Sequence, residues 1–151
     1  MNHTGTVSVG FHNIGTIDDH LLRYAVICSF HGDKLVCVRH HKRSTWEIPG
    51  GRRELGESMD ETARRELFEE TGAEYFDIQS VCEYHVLMNE QYSFGRIYTS
   101  NIQVFGELPV SEIVEVKLFE KLPDFLTYPD IQPKLLEKAL SLKASETKSF
   151  Y

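Results

Sequence analysis

Between Ser58 and Gly72 the chain carries both the start and the stop signal of one short helix. Ser58 with Glu61 three residues on forms a capping box, which satisfies two backbone donors at a helix start. Gly72 stands where a left-handed C-terminal cap belongs. On the helix so bounded, Glu66, Glu69 and Glu70 fall at i, i+3 and i+4, so one face carries three carboxylates. Like charges at that spacing repel, by ~0.2–0.5 kcal/mol for an i, i+4 pair in an isolated helix. Arg65 lies four residues before Glu69 and can pair with it in the weaker orientation, but one arginine cannot neutralise three carboxylates. Such a run is most often a solvated face, unless a cation from outside the chain offsets the charge.

A hard divalent cation does this well. Mg²⁺ and Mn²⁺ prefer carboxylate and carbonyl oxygens, with water in the remaining positions. Glu57 lies just before the helix, and Pro49-Gly50-Gly51 leads into it; glycines let the backbone turn and bring a carbonyl close to an ion. Metal held by several carboxylates keeps positions open for water and for phosphate oxygens. The ion offsets polyphosphate charge and acidifies water, and a spare carboxylate can take a proton. Hydrolysis of a phosphoanhydride uses all of these parts.

The segment Gly51 to Ala73 resembles the Nudix box, Gly-x5-Glu-x7-Arg-Glu-U-x-Glu-Glu-x-Gly-U with U apolar. Gly51, Glu57, Arg65, Glu66, Leu67, Glu69, Glu70, Gly72 and Ala73 fill every specified place. At average residue frequencies, so complete a match arises by chance in roughly one chain in ten million of this length. Trp46-Glu47-Ile48-Pro49-Gly50 also looks like the family's lead-in. The resemblance implies an α/β fold, a Nudix-type α/β/α sandwich with a mixed sheet. It also implies Mg²⁺- or Mn²⁺-dependent hydrolysis of a nucleoside diphosphate linked to another group. By position, Glu66, Glu69 and Glu70 are the expected metal carboxylates, with Glu57 and the Gly50 carbonyl as further ligands. Arg65 is expected to orient a glutamate rather than touch metal, and Gly51 to lie against the substrate.

Strand and turn signals elsewhere agree with that fold. Residues 4–10, 21–30, 34–39, 76–88, 93–105 and 113–119 read as strands, and 129–142 as a second helix with Ile131, Leu135, Leu136, Ala139 and Leu140 on its apolar face. Residues 143–151 read as a frayed tail of a single domain spanning 1–151. No apolar run approaches the roughly 18–20 residues that cross a bilayer, and the start lacks a signal-peptide pattern. Cys28, Cys37 and Cys82 have neither disulfide-framework nor metal spacing, which suits a reducing, cytoplasmic setting.

Sixteen Lys and Arg against 23 Asp and Glu leave a net charge of −7, which disfavours general nucleic-acid binding but not a small nucleotide held through a cation. Within the basic cluster 39–43, Arg39 is the expected phosphate clamp. Trp46 is a candidate for stacking on a base, although an indole more often supplies buried area. Tyr84, His85, Tyr92, Phe94 and Tyr98 read as mainly structural, and Glu83, Glu90, Glu112 and Glu115 as surface carboxylates. The short domain without an added recognition module points to a MutT-like reaction on a purine nucleoside triphosphate, native or oxidised. ADP-ribose, nucleotide sugars, dinucleoside polyphosphates and capped RNA stay open, as do a non-catalytic nucleotide-sensing module and the choice between monomer and homodimer.

Overall fold

A computed structural model of the protein describes residues 6–149. Its strands are β1 (Ser8–His12), β2 (Leu22–His31), β3 (Lys34–His40), β4 (Gly50–Arg52), β5 (Ala73–Phe76), β6 (Gln79–Met88), β7 (Gln91–Phe105) and β8 (Ile113–Phe119). The two α-helices are α1 (Met59–Thr71) and α2 (Gln132–Ser149). Six strands run in the order β1-β6-β7-β2-β3-β8, while β4 pairs with β2 and β5 with β7. β2 and β7 lie parallel, with Ala25 opposite Arg96 and Phe30 opposite Asn101; the other pairings are antiparallel.

Alternation along the central strands sends side chains to two separate cores. On one face Cys28, Leu35, Cys37, Cys82, Tyr84, Val86 and Ile97 pack with Leu135, Leu136 and Ala139 of α2. On the other, Leu22, Ala25, Ile27, Val36, Tyr98 and Ile102 pack with Met59, Ala63 and Leu67 of α1. One helix covers each face, so the expected α/β/α sandwich with a mixed sheet is the fold. All three cysteines are free and buried, and desolvation raises the Cys28 and Cys37 thiols to about 12.

Several boundaries differ from the sequence expectation. The first strand begins at Ser8 because its pairing with β6 starts there, at Ser8 opposite Leu87; expected positions 4 and 5 lie outside the described residues. The stretch 76–88 is two strands: β5 pairs with the far end of β7, and the chain then breaks at Asp77-Ile78 to start β6. Asn89 and Glu90, with φ of 53° and 64°, make the tight turn into β7. Leu140 is 43% exposed instead of facing the core, and α2 continues to Ser149 where a frayed tail was expected. Residues 150–151 lie outside the described residues.

The helix that carries the glutamates is set as its sequence dictates. Ser58 Oγ accepts from the Glu61 N–H at 3.1 Å, and Glu61 Oε1 accepts from the Ser58 N–H at 2.9 Å. Gly72 has φ 74° and ψ 14°, and its N–H donates to Phe68 O. A Cβ there would also lie 2.9 Å from Glu107 O. Gly72→Val is therefore expected to cost about 2 kcal/mol or more through left-handed strain and this backbone contact, read as a lower denaturant midpoint. An unchanged midpoint would show that the cap does not hold α1.

Candidate active site

The site forms where α1 meets the short extended run 48–52. Glu70 lies on the buried side of α1 with Ala63 and Leu67, and its Oε1 accepts from the Gly50 N–H at 2.9 Å. Glu66, one turn earlier, fills the space that a Cβ on Gly51 would need. A Cβ on Gly50 would likewise collide with Ala25 O. Neither glycine is among the residues of positive φ. The sequence suggested a turning loop here; instead Gly50 and Gly51 are strand residues opposite Val26 and Ala25, and their role is close approach. At Gly51 only a residue without a side chain leaves room for Glu66, and at Gly50 only such a residue fits against the β2 backbone.

Arg65 organises the rest of the box. It pairs with Glu57 through Nε, with Glu66 Oε1 at 2.7 Å and with Glu69 Oε2 at 3.2 Å, and Nη2 donates to Arg52 O at 3.0 Å. Glu57 also accepts from Thr62 Oγ1 and from the Glu54 N–H, each at 2.9 Å. The Arg65 hydrogen bond leads in holding Glu57 down at about 2. Glu69 is the most open of the three helix carboxylates, at 44% side-chain exposure against 13% and 12% for Glu66 and Glu70.

A cavity of about 600 Å³ opens beside these groups. Gly50, Gly51, Glu66 and Glu70 border it, together with His40, Arg43, Glu47 and Glu112. Farther along, its wall includes Tyr24, Tyr84, Val86, Met88, Tyr128 and Gln132. Arg39 and Trp46 are not in that wall. The cross-strand pairing of β3 with β8 sets Arg39 opposite Glu115, which it meets at 3.1 Å, and its Nη1 donates to Arg43 O. Trp46 packs edge-on against Phe119, with ring centroids 5.0 Å apart. From the basic cluster His40 and Arg43 reach the cavity, and Arg43 is the guanidinium there, paired with Glu47 Oε2 at 3.0 Å.

Glu47 itself was not singled out from the sequence, although an acidic residue between Trp46 and Ile48 was the available signal. It is 8% exposed, and His40 Nε2 sits 3.3 Å from its Oε1 and 3.9 Å from Glu70 Oε2. Glu83, expected at the surface, is fully buried. It accepts from the N–H groups of Gly15 and Ile17 and from Arg96 Nη2 at 2.8–3.0 Å, and so ties the loop after β1 to the sheet. Burial alone would raise its carboxyl, but these donors outweigh it and hold the group below its ordinary value.

Among the described residues no three acidic, imidazole or thiol side chains are gathered closely enough to hold an ion as they stand. The donor set nonetheless fits one. Burial is the first cause of a Glu70 carboxyl raised to about 8, and Glu66, Glu47 and Glu69 push it the same way against the Gly50 N–H. Burial also raises Glu66, despite the Arg65 bond. The site thus concentrates hard oxygen donors whose negative charge the protein offsets only in part.

A family model described as the NUDIX domain matches residues 20–124. The chain belongs to the Nudix family. It is 35% identical to YtkD of Bacillus subtilis, provisionally assigned as an 8-oxo-dGTP diphosphatase, over 68% of this chain and 64% of that protein. It is 33% identical to an RNA pyrophosphohydrolase of Blochmanniella floridana over 42% of this chain and 41% of that one. The match thus spans less than two thirds of the length of these curated relatives. A crystal structure of a variant of the Bacillus subtilis pyrophosphohydrolase BsRppH superposes with a TM-score of 0.75 and 27% identity, covering 93% of this chain and 92% of that one. Among the described residues no helix is long and apolar enough to cross a membrane.

The raised Glu70 carboxyl sets a pH dependence with a definite sign. A carboxyl at about 8 in the folded chain, against 4.5 ordinarily, contributes stability that is full below about 4.5 and is lost as pH rises through about 8. Glu70→Gln removes that dependence while keeping an acceptor for Gly50. In chelator, the melting temperature of wild type minus that of Glu70→Gln should fall between pH 5 and 8, and Mg²⁺ should raise the wild type selectively at pH 8. A difference that stays flat in chelator would contradict the buried, uncompensated carboxyl.

Proposed function

We propose that the protein is a divalent-metal-dependent hydrolase that cleaves a phosphoanhydride bond of a nucleoside diphosphate-containing substrate. Within that class, the reading is a MutT-like reaction on a purine nucleoside triphosphate, native or oxidised. The observation that carries it is the seating of Glu66 and Glu70 against Gly51 and Gly50 at the edge of a cavity of about 600 Å³. A solvated helix face has no need of a glycine that clears space for Glu66 or of a backbone N–H that receives Glu70. The assignment of the Bacillus relative supports the substrate, and a cytoplasmic setting suits three buried free thiols.

In this reading Glu66, Glu69 and Glu70 hold Mg²⁺ or Mn²⁺, with Glu57 and the Gly50 carbonyl as further oxygen donors. When bound, the ion offsets polyphosphate charge and lowers the pKa of a water. Arg65 holds Glu66 and Glu69 apart and in register, and stays off the metal. Arg43 takes the clamp role first expected of Arg39, since it is the guanidinium of the 39–43 cluster that borders the cavity. A carboxylate oxygen of the box takes the proton of the attacking water as the bridging P–O bond breaks.

The test is product release from nucleoside triphosphates, ADP-ribose, a nucleotide sugar, a dinucleoside polyphosphate and a 5′-triphosphorylated RNA, with Mg²⁺ or Mn²⁺. Purine triphosphates should be turned over best, and Glu69→Gln and Glu66→Gln should lower kcat roughly 100-fold or more with little change in chelator-measured stability. Binding of nucleotide without turnover of any substrate would mark a sensing module instead. Mutating Arg43 to Ala should raise KM about tenfold at a nearly unchanged kcat, whereas Arg39→Ala should leave both within about twofold.

A further inference from the structure

Two arginines grip Glu57, and they grip it by different atoms. Arg65 binds the carboxylate oxygens through Nε and Nη2. Those are the oxygens that a bound cation would draw on. Arg53 binds the backbone instead, with its Nε donating to Glu57 O at 2.7 Å. That carbonyl stands just before the N-cap Ser58, whose own carbonyl takes the Thr62 N–H, so Glu57 O lies outside the helical ladder.

Arg53 is fastened to the sheet at its other contacts. Its N–H donates to Arg23 O of β2 at 2.7 Å. Nη1 donates to Asp19 O at 2.8 Å and Leu22 O at 3.4 Å, and Nη2 to Asp19 Oδ2 at 2.8 Å. Each guanidinium nitrogen therefore meets a protein oxygen, and the side chain is only 17% exposed. A planar fork set on fixed acceptors loses little entropy per bond and holds their spacing. Between Arg53 and Glu57 the chain passes through Gly56 at φ 88°. The turn's own bonds there run from the Glu57 N–H to Glu54 O at 3.1 Å and from the Glu54 N–H to Glu57 Oε1 at 2.9 Å. The second of these again uses the carboxylate. Position 53 is one of the five that the box leaves open between Gly51 and Glu57, so the motif does not point to it. We infer that Arg53 is a positioning residue: it fixes the Glu57 backbone against β2 and the 3-10 turn Asp19–Leu21, so that Glu57 keeps its place when its carboxylate turns from Arg65 to a cation. This rests on the proposed reading of Glu57 as a metal ligand.

Titration of the nucleotide-free protein with Mn²⁺, followed by the EPR signal of the free ion, tests it beside kcat, KM and the melting temperature in chelator. Arg53→Met should weaken Mn²⁺ binding about tenfold and lower kcat about tenfold, with the nucleotide KM within about twofold. The loss should run through Glu57. Glu57→Gln should weaken Mn²⁺ binding about tenfold in the wild type but less than about threefold in Arg53→Met. Asp19→Ala decides the matter if Arg53→Met does not fold, because it removes one bond at a side chain that is 68% exposed and outside the box. It should weaken Mn²⁺ binding about threefold. A folded Arg53→Met with a lower melting temperature but unchanged Mn²⁺ affinity marks a purely structural arginine and overturns the inference. Additive effects of the two substitutions, or unchanged affinity in Asp19→Ala, overturn it as well, and all three leave Glu57 as a ligand. Mn²⁺ affinity that Glu57→Gln leaves unchanged in the wild type sinks the reading of Glu57 itself, and the inference with it.

Discussion

The segment Ile48-Pro49-Gly50 is the constraint on which the rest of the site depends. Its two available N–H groups flank a proline that has none, and each is taken by a side chain from a different helix. Ile48 donates to Gln132 of α2 and Gly50 to Glu70 of α1. Pro49 O in turn accepts from Ile27 N, which fastens the segment to the central strand β2. Three layers of the sandwich are therefore cross-linked through three consecutive residues. The strand register sets where the carboxylates stand, because Gly50 and Gly51 face Val26 and Ala25 with no side chain between.

Arg65 extends this order along the helix. Without it Glu57, Glu66 and Glu69 would repel one another along one side of the helix. With it they share one guanidinium, whose planar fork can serve several carboxylates at once. Glu70 is the exception, lying beyond that cation and meeting, among the described residues, a backbone N–H and the distant edge of His40. The imbalance between a neutralised outer part and an uncompensated inner carboxylate separates the site from a closed salt-bridge network, and the proposed role as a cation site rests on it.

Features encoded locally were legible in the sequence. The limits of α1, its capping box and its terminal glycine depend on neighbours within four residues, and they stand where the spacing put them. The box motif likewise located Glu66 and Glu70. What sequence spacing missed depends on pairing across long distances. Arg39 looked like the clamp because it ends a strand, but whether it or Arg43 faces the cavity is decided by β8, which places Glu115 opposite Arg39. Glu83 looked like a surface carboxylate because its partners, Gly15, Ile17 and Arg96, come from two other parts of the chain. Gln132 was invisible for the same reason, since its partner lies 84 positions away.

The parallel pairing of β2 with β7 has a consequence for how the molecule comes into being. Residues 22–30 wait for residues 94–101 to arrive before the middle of the sheet exists. Closing so long a loop loses entropy before any contact returns it, and topologies of this kind fold slowly. On the ribosome, α1 and its caps emerge complete while the floor beneath them is still missing a strand. Until Asn101 has left the exit tunnel, one edge of β2 stays unpaired, and an unpaired strand edge is open to misassembly.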